Sequence, residues 1–465
     1  MPILPDSELE CLLDRFGQQH LLIEWSSLND ESQYSFERQL ASIDFTELMK
    51  LTELGQTMAA LCPAATDLAP ISIEQPNPAS RTIGEAALRA GQVAVLLVAG
   101  GQGTRLGFDH PKGMYPVGPV SGASLFQIHS EKVLALSRKY GHAVPFLVMT
   151  SRATHAETVG FFETNKYFGL APPQVRFFQQ GEMPALDIAT GQLLLEAPGQ
   201  LALSPNGHGG TLTALAESGL LAELKSAGVQ HFFYFQVDNA LVNIADPVFL
   251  GQHIEANSEA SSKAVLKTRP DEKVGLLAMV NSRCGIIEYS DLPAEMNNAR
   301  DAHGQLTYRA GNPAIHCFSV PFLERVTSGA GQLRFHIARK KVPFYNTATG
   351  TVVTPTTENA YKFELFIFDA LPLAERWMVM ETKREDEFAP LKNAIGPDSL
   401  ATVQELMLAR DRRWLVSAGI TVKDGMKVEL SPLLGLTAEE VAGNVKPRVI
   451  ANDKYLCLDG GEMYN

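Results

Sequence analysis

Residues 100–118 read GGQGTRLGFDHPKGMYPVG, with Gly100, Gly101, Gly103 and Gly107 clustered around Arg105 and leading to Lys112. Glycines at that density let backbone N–H groups approach a ligand closely and wrap phosphate oxygens, while Arg105 and Lys112 supply positive charge. The spacing predicts a nucleotide loop. It is not a Walker A loop, because no G-K-[ST] follows, and it is not G-x-G-x-x-G, because three residues separate Gly103 from Gly107. Both the kinase and the dehydrogenase readings therefore weaken. A bare glycine-rich turn has no need of Arg and Lys so placed after an apolar strand. Asp238 follows the apolar run FFYFQV, which puts a carboxylate at a strand's carboxyl end, where Mg²⁺ is held against phosphates. G-x-S-x-G and H-E-x-x-H are both missing.

The elements that must position these residues follow from the pattern around them. Strands are predicted at VAVLLVA (93–99), VPFLVMT (144–150), VRFFQQ ending at 180 and FFYFQV (232–237), with helices around 124–139, 155–168 and 212–227. Such alternation implies an α/β fold with a mostly parallel sheet and helices on both faces, because parallel strands need crossover connections. Ligands of open α/β sheets sit beyond the carboxyl ends of the strands, just after 99, 180 and 237. Residues 1 to about 62 look helical. Pro63, Pro70, Pro76 and Pro78 then make a linker or wrapping arm. Boundaries near 80 and 400 divide the chain into a helical amino-terminal segment (1–80), a catalytic domain (81–400) and a small carboxy-terminal domain (401–465) with a helix near 402–418.

Composition narrows the partners. The 465 residues carry 39 Lys+Arg against 52 Asp+Glu, a formal charge of −13, with no basic block to attract a nucleic acid. No apolar run reaches the ~18 residues of a membrane span. The amino terminus, MPILPDSELE, lacks a signal-peptide pattern, so a cytoplasmic protein is expected. Cys11, Cys62, Cys284, Cys317 and Cys457 form no C-x-x-C pair and read as reduced, mostly buried residues.

The glycine loop resembles the signature loop of sugar-nucleotide pyrophosphorylases, in the eukaryotic-type UDP-N-acetylhexosamine branch. Seven further segments agree in order: FFQQGEMPAL (177–186), PNGHGG (205–210), VDNALVNIADP (237–247), VGLLAMV…GIIEYSDL (274–292), RAGNPAIHCFSVPFL (309–323), ENAYKFELFIFD (358–369) and REDEFAPLKNA (384–394). Together they cover roughly residues 90 to 400. The resemblance implies a Rossmann-like, glycosyltransferase-A-like domain that transfers uridylyl from UTP to a sugar 1-phosphate with Mg²⁺ or Mn²⁺. It assigns catalysis to Arg105, Lys112 and Lys392, and nucleotide binding to Val98, Ala99, Gly100, Gly101, Lys112, Gln180, Gly207, Asp238 and Lys362. Sugar binding falls to His208, Glu288, Tyr289, Asn312 and Lys392, and the metal to Asp238. The side-chain amide of Gln180 and the backbone at Gly207 suit the uracil edge.

Such a reaction needs charge neutralisation and in-line alignment more than acid–base groups, because a phosphate nucleophile with a second pKa of about 6 is already ionised. One residue pulls against the branch. His208 in PNGHGG resembles the Gly-His-Gly of UDP-glucose pyrophosphorylases, whereas EYSDL, RAGNP and REDEFAPLKNA side with the N-acetylhexosamine branch. The expected substrate is therefore an N-acetylhexosamine 1-phosphate, with glucose 1-phosphate or broad UDP-sugar use as the alternative. The REDE run at 384–387 reads as a solvated or salt-bridged flank, and the oligomeric state is not legible.

Overall fold

The computed structural model describes residues 6–58, 67–328, 333–445 and 449–457. They divide into two compact units, one drawn from residues 1–66, 180–210 and 333–367 and the other from 67–179, 211–332 and 368 onward. The chain thus divides by exchange of segments, whereas the sequence reading cut it near 80 and 400.

The larger unit is built on eleven strands: β1 (Leu68–Pro70), β2 (Val93–Val98), β3 (Phe146–Thr150), β4 (Val175–Gln179), β5 (His231–Gln236), β6 (Ala260–Leu266), β7 (Leu276–Val280), β8 (Arg283–Ile287), β9 (Ala310–Gly311), β10 (His316–Ser319) and β11 (Trp377–Thr382). Their order is β1-β7-β9-β6-β10-β5-β2-β3-β4, with β8 added to β7 and β11 to β6. The expected α/β fold is present. β5, β2, β3 and β4 run parallel, and β10 joins β5 antiparallel.

All six residues of β2 are buried, so this strand is covered on both faces. On one face Val93, Val95 and Leu97 share a core with Leu125, Phe126 and Val133 of α5 (Leu125–Tyr140) and Phe249 of α9 (Pro247–Glu255). On the other, Phe322 of the helix Val320–Thr327 stacks on Phe318 of β10. Two expected helices are shorter or broken. The one near 155–168 is Arg152–Thr164, because Lys166, Tyr167 and Phe168 all take positive φ. The one near 212–227 divides into Gly210–Glu217 and Leu220–Ser226, where Gly219 takes φ +78°.

Of the proline-rich stretch, 67–78 is described. Its strand β1 lies at the sheet edge, where proline's missing N–H costs no ladder bond. The segment after 400 has the expected helix, Leu400–Ser417, and its own apolar cluster around Leu415, Leu430, Val441 and Ile450. Glu429 accepts the Val120 and Ser121 N–H groups at 2.8 and 2.7 Å, which ties this segment into the larger unit.

In the smaller unit the amino-terminal helices are Asp6–Arg15, Asp30–Ala41 and Phe45–Met58. Their Leu13, Phe36, Leu40, Leu48 and Leu51 share a core with Leu186, Leu193, Leu195, Leu201, Tyr361 and Phe363. Strands Leu186–Asp187, Ala360–Glu364 and His336–Lys340 form a small antiparallel sheet, and Glu182–Pro184 pairs with Leu203–Pro205. Among the described residues no helix is long and apolar enough to cross a membrane. Cys284 and Cys317 are buried as expected, but Cys11 is exposed and Cys457 half-buried. Cys62 lies outside the described residues.

Candidate active site

Strand β2 delivers the chain through Val98 to Ala99, whose N–H donates to the Met149 carbonyl at 2.8 Å. The glycine loop then folds back on itself. Gln102 and Pro111 bridge antiparallel, Gly103 N–H donates to His110 O at 2.9 Å, and Lys112 N–H donates to Gly101 O at 3.1 Å. A Cβ on Gly103 would lie 2.8 Å from the Phe108 carbonyl oxygen, and Gly107 closes the turn at φ +68°. Gly101 differs. It has neither a positive φ nor any neighbour a Cβ would meet, so its missing side chain leaves open space over the loop, where a ligand can approach the backbone.

The loop ends at Lys112, whose ammonium lies 3.5 Å from Asp238 Oδ2, both side chains mostly buried. Asp238 arrives there because Gln236 of β5 is in register with Val98, and Val237 N–H continues the ladder to Val98 O at 3.0 Å. Three hydrogen bonds then bring in a distant segment. Asn239 Nδ2 donates to Glu387 O at 2.8 Å, Ala389 N–H donates to Asn239 Oδ1 at 3.0 Å, and Leu391 N–H donates to Asp238 O at 2.9 Å. Lys392 is thereby carried beside Asp238.

Lys392 is also held by its own N–H, which donates to Asp398 O at 2.7 Å. Burial pushes the Asp398 carboxyl up, and Asp238 adds to that while Lys392 and Arg384 oppose it. Burial likewise raises Glu288, helped by Asp291 and opposed by Lys392. Lys392 therefore sits within electrostatic reach of both carboxylates. Asn312 borders the same place: its N–H donates to Gly275 O at 2.8 Å, and a Cβ on Gly275 would lie 3.6 Å from Glu288 Oε1. Asn312 Oδ1 accepts the Ala314 N–H, leaving its NH₂ as the group to offer a ligand. Tyr289 is exposed, and Arg105 is exposed with no ion pair among the described residues.

In the smaller unit, Gln180 is buried at the start of a chain of backbone contacts. Asn206 N–H donates to Gly181 O at 2.9 Å and Leu365 N–H donates to Asn206 O at 2.7 Å. Gly207 takes φ +85°, and a Cβ there would lie 2.5 Å from Leu365 O, so only glycine lets this loop lie directly on residues 364–366. His208 Nδ1 accepts the Ile367 N–H at 3.2 Å, which fixes a neutral ring carrying its proton on Nε2. Lys362 is half-buried on the strand leading into this contact.

The larger unit thus gathers Lys112, Asp238, Glu288, Asn312 and Lys392, and the smaller one gathers Gln180, Gly207, His208 and Lys362. Sequence reasoning missed Asn239, Asp398 and Arg384. No spacing signal marks the last two, and Asn239 is visible only as the neighbour of Asp238. Of the REDE run, Glu387 is buried against the Lys263 ammonium rather than solvated, while Asp386 pairs with Arg413.

The sequence model of the family described as UTP–glucose-1-phosphate uridylyltransferase matches residues 67–444. The chain is 40% identical to the UDP-N-acetylglucosamine pyrophosphorylase of Saccharomyces cerevisiae, over 77% of each sequence. It is 35% identical to a Mus musculus UDP-N-acetylhexosamine pyrophosphorylase-like protein, over 93% of this chain and 89% of that one. A solved structure of the uridine diphosphate N-acetylglucosamine pyrophosphorylase of Trypanosoma brucei is similar with a TM-score of 0.81 at 28% identity, covering 99% of this chain and all of that one.

Proposed function

The chain belongs to the UTP–glucose-1-phosphate uridylyltransferase family and is a nucleotidyltransferase, and on that premise we propose that it makes a UDP-N-acetylhexosamine and pyrophosphate from UTP and an N-acetylhexosamine 1-phosphate. The observation that carries this reading to particular residues is the Lys112–Asp238 pair with Lys392 fastened alongside. A phosphate oxygen of the sugar attacks the α-phosphorus of UTP, the α–β bridging P–O bond breaks, and pyrophosphate leaves. Lys112 and Arg105 neutralise charge on the transferring phosphoryl group and the departing pyrophosphate. Lys392 holds the sugar phosphate, while Glu288 and Asn312 accept from and donate to the sugar. Gln180 and Gly207 read the uracil, with Lys362 on the nucleotide phosphates.

The donor set suits a hard divalent cation. Asp238 places negative charge beside the Asp398 carboxyl, and one or two carboxylates plus substrate phosphates are what Mg²⁺ uses. Held by Asp238, it would supply charge neutralisation on the polyphosphate. The four described cysteines form no disulfide, which fits a reducing, cytoplasmic setting.

The test is pyrophosphate release from UTP with a panel of N-acetylglucosamine, N-acetylgalactosamine, glucose and galactose 1-phosphates. Release should require both substrates, favour the acetamido sugars, and prefer UTP to ATP. EDTA should abolish turnover and Mg²⁺ restore it. Faster use of glucose 1-phosphate than of both acetamido sugars would replace this reading with its glucose counterpart, the one His208 favours.

A further inference from the structure

At the opposite end of the parallel strands, roughly 20 Å from Asp238, lies a second constellation that the uridylyl-transfer reading does not use. Register places it. His231, the first residue of β5, pairs with Ser319, Phe233 pairs with Cys317, and Ser261 of β6 pairs with Cys317 from the other side. Residues paired this way project to one face of the sheet, so His231, Cys317 and Ser261 share a face. Helix α9 covers it: Phe249 packs edge-on against Phe233, and His253 follows one turn later on the same helix face.

His253 is fully buried, with Nδ1 2.7 Å from the Ser261 hydroxyl and Nε2 without any hydrogen-bond partner. His231 Nδ1 is buried and unpartnered as well. The two rings stand perpendicular with centroids 5.1 Å apart, and a ring nitrogen of each lies within 4.8 Å of the other and of Cys317 Sγ. Buried polar atoms almost always find a partner, so two orphaned imidazole nitrogens beside a thiol call for an explanation.

We propose that His231, His253 and Cys317 form a transition-metal site of the zinc(II) class, separate from the substrate-bound Mg²⁺. Two imidazoles and a thiolate are a ligand set that zinc takes and magnesium refuses. With His253 Nδ1–H donating to the Ser261 hydroxyl oxygen at 2.7 Å, the part usually played by an outer oxygen on a ligating histidine, Nε2 is the nitrogen left to ligate. On binding, the Cys317 S–H bond breaks, its proton leaves to solvent, and an S–Zn bond forms. Zn–N bonds of about 2.0 Å and a Zn–S bond of about 2.3 Å put the ligand atoms about 3.3–3.6 Å apart in a tetrahedron, so atoms now within 4.8 Å of one another close by side-chain adjustment. His231 is the partly exposed member and gives the ion its way in. A bound ion would pin β5, β10 and α9 together at the foot of the strand that bears Asp238 at its head.

The experiment is a titration of chelator-stripped protein with Co²⁺ and Zn²⁺. One Co²⁺ per chain should bind with the near-ultraviolet thiolate-to-cobalt absorption and the strong visible bands of a tetrahedral site, and Zn²⁺ should displace it. Zn²⁺ should also raise the Tm of the stripped protein. Cys317→Ser should lose the near-ultraviolet band and the zinc-dependent Tm rise. Should that variant fail to fold, His231→Ala, at the partly exposed ligand, is read in its place and should lose the Tm rise. Absence of Co²⁺ binding to the wild type, or a thiolate band that survives in Cys317→Ser, overturns the proposal. Either result leaves the uridylyltransferase reading standing, since pyrophosphate release is measured independently.

Discussion

Lys112 and Asp238 are close enough, at 3.5 Å, to neutralise each other in the absence of substrate. A polyphosphate and its cation would divide them: the carboxylate turns to the cation and the ammonium to the phosphates. Lys112→Ala should therefore lower kcat by about a hundredfold or more, on the order of 3 kcal/mol of transition-state stabilisation. Its folding should change by less than about 1 kcal/mol, because partly exposed single ion pairs contribute little. Steady-state kinetics with a thermal melt on the same sample separate the two, and a folded Lys112→Ala enzyme with near-normal kcat would remove Lys112 from the mechanism. Arg105 was legible in sequence as the cation inside a glycine loop, and the structure adds that it is exposed, with no ion pair among the described residues. His208 was legible only as a letter in a motif. That its Nδ1 accepts the Ile367 N–H depends on a contact across 159 residues of sequence that no spacing reveals.

At the level of elements, the segment that delivers Lys392 is held from beneath by a buried charge cluster. Lys263 is fully buried on β6, with its ammonium 2.8 Å from Asp246 and 2.6 and 2.7 Å from the two Glu387 oxygens. Burial works against its charge, but the two carboxylates outweigh that and hold it above the usual lysine range. Glu387 in turn gives its carbonyl to Asn239, next to Asp238. Lys263→Met strands two carboxylates in the interior, and should cost about 3–5 kcal/mol, lower Tm by several degrees and raise KM for the sugar phosphate. An unchanged melt would show the cluster to be dispensable. This cluster also explains why β6 was missed: ASSKAVL reads as a polar stretch, yet Ser261, Ser262 and Lys263 are all buried, whereas the uniformly apolar β2 and β5 announced themselves. A second tie at the foot of β6 sets an acid limit. Glu259 accepts both Arg325 Nη atoms at 2.8 and 3.0 Å and the Glu375 N–H, and the Arg325 bonds, against some desolvation, bring its pKa down from 4.5 to about 2. A depressed carboxylate stabilises the fold above its unfolded pKa and loses that contribution as pH falls from about 4.5 to about 2. Arg376, whose Nη2 lies 3.4 Å from Glu259 Oε1, adds to this; with both it and Arg325 half exposed, the contribution is on the order of 2 kcal/mol. Glu259→Gln should flatten the fall in Tm across that acid window while costing stability at pH 7. Parallel wild-type and mutant curves would contradict it.

For the whole molecule, net charge and local charge oppose each other. The chain carries −13 and offers no basic block, yet both proposed substrates are anions. Long-range repulsion therefore acts on every approaching UTP, while the attractive contacts proposed for Lys112 and Lys392 would operate only at a few ångströms. Salt distinguishes these two regimes, because the Debye length falls from about 30 Å at 0.01 M to about 8 Å at 0.15 M. Screening at that scale removes the field of distant carboxylates and leaves short-range contacts, such as those of the mostly buried Lys112, nearly intact. Raising KCl from about 10 to about 150 mM at saturating Mg²⁺ should accordingly raise kcat/KM for UTP or leave it level. A protein that meets phosphates with a broad basic surface shows the reverse, an affinity that falls steeply with salt as counterions are released. A several-fold fall in kcat/KM over this range would mean that the field of Arg105, Lys112 and Lys392 reaches well beyond their own contacts and dominates the approach of substrate. A rise would mean that the acidic surface sets the encounter and the cations of the loop and of residue 392 act only after it.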